Sequence, residues 1–310
     1  MHPVLFSLGD YPIHTYAVCI ATGFIVCVWL AARHASKVGM DREMILDLCW
    51  WLLVMGLVGS RLAFIATNWE QYWLPCVDLD AFNRMFPEQT LAERDCTLVF
   101  QFWKGGLVFY GAPIASLVTL FVFMRREKLP ALPVADVIII YLPLGQFFGR
   151  LGCLGAGCCF GKPHEGPLSL TFPRGSMAWD QHVQEHLVEP SALTSLPVYP
   201  TQLYDAFTGL VLFGVLWWVH SRKRWHGQVM VAWLVLYPLV RSFNELFRGD
   251  EDRKFLARVV VEPLNALLGL TPGSVTFLST SQFISILVAA TGLALFARLR
   301  RVPMTSPTGE

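Results

Sequence analysis

The chain has 310 residues, of which 54% are hydrophobic and 15% charged, and its formal net charge is +1. A soluble domain carries about 25% charged residues. A mean hydropathy of +0.48 therefore leaves too little polar surface to keep a chain of this length in water, and the near-zero charge gives nucleic acid nothing to bind. The composition predicts an all-α integral membrane protein.

About 20 apolar residues in a helix cross the roughly 30 Å hydrocarbon core. Seven stretches approach that length: 14–32, 44–66, 106–124, 134–152, 203–220, 227–246 and 281–298. Backbone groups in lipid must be satisfied within the segment, so helices are expected. Pro143 and Pro238 fall inside the fourth and sixth and should kink them. The first apolar run has no basic flank before it and continues into a full span, so no cleavable signal peptide is expected.

Lys and Arg placement sets the orientation. Compact basic clusters follow the first span (Arg33, Lys37, Arg42), the third (Arg125, Arg126, Lys128), the fifth (Arg222, Lys223, Arg224) and the seventh (Arg298, Arg300, Arg301). These connections should be cytoplasmic, with the N-terminus outside and the C-terminus inside. Residues 1–301 then form a single transmembrane domain with external segments 67–105, 161–202 and 247–280, followed by a short cytoplasmic tail, 302–310. The segment 161–200 is rich in Pro, Gly and His and reads either as a lid or as a folded loop.

This topology gives each unusual polar residue a depth. His14 and Tyr16, Arg61, Lys104 with Tyr110, Arg150, Gln202 with Tyr204 and Asp205, and Arg241 with Asn244 and Glu245 all fall at the outer ends of their spans. An intramembrane charge is a functional hypothesis by default. Simpler readings remain open: Arg61 can snorkel or serve structure, Arg241 and Glu245 can pair along one helix face, and Tyr16, Tyr110, Tyr204 and Tyr237 can belong to an aromatic belt. Taken together, three arginines at one depth favour an anionic ligand, because the planar guanidinium grips phosphate bidentately. An anion beside the outer leaflet suggests a phospholipid head group.

Of eight cysteines, Cys19, Cys27 and Cys49 fall in or beside spans as small apolar packing residues. Cys76 and Cys96 share one external segment, where an oxidising compartment permits a disulfide. Cys153, Cys158 and Cys159 follow Arg150 closely. Their spacing is not CxxC and no His interleaves, so the cluster does not read as a zinc site; packing, a structural disulfide or a thiol-redox role are the readings left.

Several blocks carry a resemblance over nearly the whole chain. They are Pro3 to Gly9 with His14-Thr15-Tyr16, Gly59-Ser60-Arg61, Gly105 to Gly111, Gly149-Arg150-Leu151-Gly152, Tyr199 to Tyr204, and Arg241 to Arg248. In order and spacing they resemble the prolipoprotein diacylglyceryl transferase family. The resemblance implies transfer of diacylglycerol from phosphatidylglycerol to the lipobox cysteine thiol of a prolipoprotein signal peptide. Glycerol phosphate would be the leaving group, at the outer leaflet of a bacterial inner membrane, with the site facing the periplasm. It implies phosphate contacts for Arg150 and Arg241, and it matches Tyr16, Glu245 and Gly161 to functional positions. With Tyr110, Arg241, Glu245 and Tyr16 as the catalytic set, the substrate-binding set is Arg150, Arg241, Gly161, Gln202, Tyr204, Arg61 and Cys153.

No metal or organic cofactor is implied. The departures lie in the glycine-rich signature, where Cys153 and Ala156 replace asparagines and Cys158 a glutamate, and at Tyr110, which replaces a histidine. Tyr, with an ordinary pKa near 10, is a poor base at neutral pH, although its hydroxyl can position a thiol or a water. The departures leave three other readings: a divergent paralogue using a phospholipid with another acceptor, a membrane thiol-oxidoreductase, and a transporter.

Overall fold

The computed structural model describes residues 4–9, 11–101, 106, 108, 110–249, 255–270, 273, 275 and 277–301. Lys104, Gly105, Leu107 and Phe109 of the glycine-rich block, Pro3, and the tail 302–310 lie outside the described residues. The chain forms two compact units, one of residues 1–34 with 132–310 and the other of residues 35–131.

In chain order, the described elements begin with a hairpin of β1 (Val4–Leu8) and β2 (Tyr11–His14), then α1 (Thr15–Lys37) and α2 (Arg42–Thr67). Two short helices, α3 (Trp69–Val77) and α4 (Leu79–Met85), precede α5 (Gly111–Arg126). Then come α6 (Ala131–Ile139), α7 (Leu142–Ala156), α8 (Met177–Gln184), α9 (Thr201–Ser221) and α10 (Gln228–Glu245). The last are β3 (Phe255–Val259), α11 (Glu262–Leu267), β4 (Phe277–Ser279) and α12 (Thr280–Leu299). The protein is thus mostly helical, with two small antiparallel pairs, β1 with β2 and β3 with β4, that helical periodicity did not predict.

Among the described residues five stretches are long and apolar enough to cross a membrane: α1, α2, α6 with α7, α9 and α12. Their outward faces carry large apolar side chains such as Ile25, Phe207 and Leu293, each more than half exposed. A surface of that kind suits lipid rather than water. Two expected spans differ. Helix α5 has 16 residues, short of a full crossing, and the apolar run of α10 is diluted by Gln228, Arg241, Asn244 and Glu245. The stretch over 134–152 is two helices: the first ends before Tyr141, and Pro143 sits in the opening turn of the second. Proline fits a first turn because its missing N–H has no partner there. Pro238 by contrast lies inside α10.

In the unit 35–131, α2 and α5 cross at two glycines. A Cβ on Gly111 would collide with the carbonyl oxygen of Gly59, and one on Gly59 with Ala115. Small residues permit this backbone contact. Arg61, half a turn on, donates to three backbone carbonyls: Nε to Val99 at 3.0 Å, Nη1 to Gly106 at 3.1 Å and Nη2 to Leu98 at 2.8 Å. The Cys76–Cys96 disulfide ties α3 to the short 3-10 helix at Cys96–Phe100, the pairing expected for these two cysteines.

In the other unit α7 packs against α1, α9 against α7 and α10, and α12 against α10. Gly152 lies under Tyr16 and Cys19, Gly209 against the carbonyl of Pro143, and Gly292 against Leu234 and Val235. The segment after α7 is a folded cap. Phe160, Phe172, Ala178 and Val198 form its core. Short bridges Pro163↔Val198, Leu170↔Val198 and Pro173↔Thr194 tie its two sides.

Candidate active site

The site grows from the ends of four helices of that unit. Arg150 is in the last two turns of α7 and Asp205 in the second turn of α9; Arg150 Nε lies 2.9 Å from Asp205 Oδ2 in an ion pair. The pair is largely desolvated, the Asp205 side chain being 2% exposed. On α10, Arg241 Nη2 meets Glu245 Oε2 at 2.7 Å, again with the carboxylate buried. Each ion pair holds a guanidinium group against a buried carboxylate. Tyr237, one turn before Arg241, is in electrostatic reach of Arg241, Asp205 and Arg150 alike, so the two pairs border one region. Tyr16, in the first turn of α1, reaches Arg150 and the three cysteines beyond it and packs over Gly152.

This region is polar and incompletely satisfied. Arg241 Nη1, Asp205 Oδ1, Gln202 Oε1 and Asn244 Oδ1 are buried without a hydrogen-bond partner among the described residues. Buried polar atoms are nearly always paired, so each exception calls for an explanation such as a catalytic role or a bound water or ion.

The glycine-rich run turns directly beside Arg150. Gly157 caps α7 in the left-handed region (φ 72°), and Cys159 adopts it as well (φ 56°), which is uncommon for a side chain with a Cβ. The turn is braced from α9: Gln202 Nε2 donates to the carbonyl of Cys158 at 2.8 Å, and Thr201 Oγ1 to that of Cys159 at 2.7 Å. Asn244 of α10 in turn donates to Thr201 O at 3.4 Å. The Sγ atoms of Cys153, Cys158 and Cys159 lie within 4.8 Å of one another, and Arg150 Nη1 is 4.0 Å from Cys153 Sγ. Hydrogen bonding with Cys153 and Cys159 pushes the Cys158 thiol up. Hydrogen bonds from Cys153 and Cys158 pull the Cys159 thiol down, with Arg150 and Arg248 adding to them against burial.

Of the sequence-predicted residues, Tyr16, Arg150, Cys153, Gln202, Arg241 and Glu245 come together here. Gly161 sits just below, wedged where a Cβ would be 2.5 Å from Tyr199 Cβ and from the Tyr199 carbonyl oxygen. Tyr204 turns its ring to Phe247, 6.0 Å away. Arg61 and Tyr110 belong to the other unit; Arg61 is bonded to backbone carbonyls, and Tyr110 is the exposed residue preceding α5. In sequence, Asp205 and Asn244 stand among the polar residues at the span ends and Thr201 within a family block, but none of the three has a role in the expected site.

Helices fit for lipid, two buried arginine–carboxylate pairs and unsatisfied polar atoms beside them define a membrane protein with a buried polar site. A family model described as prolipoprotein diacylglyceryl transferase matches residues 3–298. Phosphatidylglycerol–prolipoprotein diacylglyceryl transferase 2 of Clostridium perfringens is 26% identical over 310 residues, all of both chains. The phosphatidylglycerol–prolipoprotein diacylglyceryl transferase of Clostridium tetani is 26% identical over 96% of this chain and 97% of its own. That of Nitratidesulfovibrio vulgaris is 28% identical over 81% of this chain and 82% of its own. The chain belongs to the prolipoprotein diacylglyceryl transferase family, and it is by class a diacylglyceryl transferase.

Proposed function

We propose that the protein moves diacylglycerol from phosphatidylglycerol to the lipobox cysteine of prolipoproteins, at the outer leaflet of the bacterial inner membrane. The observation that carries this reading is the pair of buried, carboxylate-held arginines at one end of the helices, with Arg241 Nη1 buried and without a partner among the described residues. The head-group phosphate would take the outward edges of Arg150 and Arg241. As the incoming sulfur forms its bond to the glycerol carbon, the C–O bond breaks and its electron pair leaves on the phosphate oxygen. Two guanidinium groups aimed at that oxygen stabilise the developing charge. Glu245 holds Arg241 in place; Tyr16, Gln202 and Cys153 line the space beside it. Gly161 and Tyr204 support the shape of the lipid site, and the roles that the resemblance implies for Arg61 and for the Tyr110 hydroxyl are kept as part of this proposal.

The proposal includes seven spans, with α5 and α10 completing the set, the N-terminus outside and the C-terminus cytoplasmic, over one transmembrane domain of residues 1–301. The alternation of basic clusters supports it. The Cys76–Cys96 disulfide supports an oxidising location for the segment 67–105, and the folded cap supports an external 161–202. By the same reading 247–280 is external and the tail 302–310 cytoplasmic.

The test is transfer by purified protein in phosphatidylglycerol liposomes to a lipobox peptide, read by mass spectrometry, with a Cys→Ser peptide as control. A diacylglyceryl adduct confined to the Cys peptide is expected. Folded, lipid-binding protein that forms none would favour the second reading, a paralogue with another acceptor, for which Tyr110 and the cysteine replacements speak.

A further inference from the structure

We propose that Cys153, Cys158 and Cys159 form a tris-thiolate site for a soft divalent cation, zinc foremost, with a fourth position open to the substrate thiol. The role given to the ion rests on the transferase reading above; the site itself rests on geometry. Three sulfurs with every pair within 4.8 Å are near what a tetrahedral ion needs, since a metal–sulfur distance of about 2.3 Å sets sulfurs roughly 3.8 Å apart. Closing the difference takes at most about 1 Å in any sulfur–sulfur distance.

The cluster is held in shape. Cys153 is buried on α7, and the next two thiols return to it because Gly157 and Cys159 both take left-handed backbone. The Cys158 N–H donates to Cys153 O at 3.1 Å, while Thr201 and Gln202, each 1% exposed, hold the Cys159 and Cys158 carbonyls. A left-handed non-glycine residue persists only where its surroundings enforce it. A disulfide would use two of these thiols and leave the third without purpose. Three convergent thiols suit a metal. Sequence spacing pointed away from zinc because it could not show the turn that closes a C-x4-C-C run.

Three thiolates on a divalent ion carry one net negative charge, and Arg150, 4.0 Å from Cys153 Sγ, lies beside it. Three protein ligands and an open position are the pattern of a catalytic rather than a structural zinc. A thiol is a weak nucleophile until ionised, and coordination deprotonates it outright. The lipobox thiol would bind as thiolate, releasing its proton to water. Its sulfur then forms the bond to the glycerol carbon while the C–O bond breaks toward the phosphate held by Arg150 and Arg241. The ion is neither oxidised nor reduced. This gives the site a means of activating the thiol although Tyr110 stands where the family has histidine.

The experiment uses the full chain, purified in detergent without chelator. Elemental mass spectrometry should find one zinc per chain, and cobalt(II) replacing it should show an intense thiolate-to-cobalt band. Cys153→Ser, Cys158→Ser and Cys159→Ser should each weaken zinc binding by more than about 100-fold, beyond the effect typical of losing an outer-shell partner; Cys49→Ala should not. If the serine variants fail to fold, alkylation of the native protein with and without zinc replaces them, and zinc should shield these three thiols together. Absence of stoichiometric metal with no cobalt band, or a disulfide within the trio, would overturn the site. Zinc bound without transfer to a lipobox peptide upholds the site and removes the transferase reading. Transfer undiminished in metal-free protein upholds the transferase and removes the ion from it.

Discussion

Replacing Arg150 by methionine isolates the buried ion pair. The arginine side chain is 17% exposed and its partner Asp205 2%, so Arg150→Met leaves a carboxylate enclosed without its counter-charge. Removing one partner of a buried pair costs about 3–5 kcal/mol, whereas replacing both by apolar groups is often neutral. Arg150→Met with Asp205→Leu should therefore recover most of what the single change loses. The expected coupling exceeds about 2 kcal/mol, at the upper end of the range for contacting residues. Reversible unfolding in mixed micelles of the native protein, both single variants and the double variant reads this cycle. The same four proteins enter the transfer assay, where those lacking Arg150 should be inactive whatever their stability. Arg150→Met as stable as the native protein, or a coupling under about 0.5 kcal/mol, would refute the buried pair. Full transfer by the stable double variant would remove Arg150 from the phosphate site.

Glu245→Gln keeps the shape but drops the charge that orients Arg241 at 2.7 Å; transfer should fall at least about tenfold, equivalent to about 1.4 kcal/mol, and an unchanged rate would show that Arg241 needs no such anchor. Gly161→Ala places a methyl 2.5 Å from Tyr199 and should destabilise the protein by about 1–3 kcal/mol; native stability in the same unfolding assay would contradict the tight junction. His182 is buried, its Nδ1 accepts from the Leu196 N–H at 3.2 Å, and burial lowers its pKa. Its contribution is then complete above the unfolded value of about 6.5 and is lost as pH falls toward the lowered folded one. The protection factor of the Leu196 amide, its exchange corrected for the intrinsic rate, should fall from pH 7 to pH 5, and constant protection would refute this.

Long apolar runs were legible to within a few residues. The span expected at 203–220 is α9 at Thr201–Ser221, and that at 281–298 is α12 at Thr280–Leu299. Apolar length and flanking polar residues suffice for such helices. The break at Tyr141 was not legible in position, because a Pro143 inside an apolar run fits a kink or a fresh helix start equally well. The cap was left open because short bridges such as Pro173↔Thr194 have no periodicity. Charge among apolar residues revealed Arg150 and Arg241. The Arg150–Asp205 pairing did not show, since it depends on two helices distant in sequence lying side by side. Arg61 illustrates the converse: its depth was suggestive, but its donors end on the carbonyls of Leu98, Val99 and Gly106.

Asp136 on α6 is fully buried and accepts from Gly227, Val229 and Met230 at the start of α10, with Lys223 Nζ at 3.3 Å. The backbone donors follow it by 91 to 94 residues. At about 5–20 residues per second, the ribosome delivers them roughly 5–20 s after Asp136 itself has emerged. A carboxylate without partners is costly in a bilayer, so during that interval α6 has to keep this side chain at water. The assembly of α6 therefore waits on a helix made much later, and a chain interrupted before α10 is left with an acid that the finished protein hides.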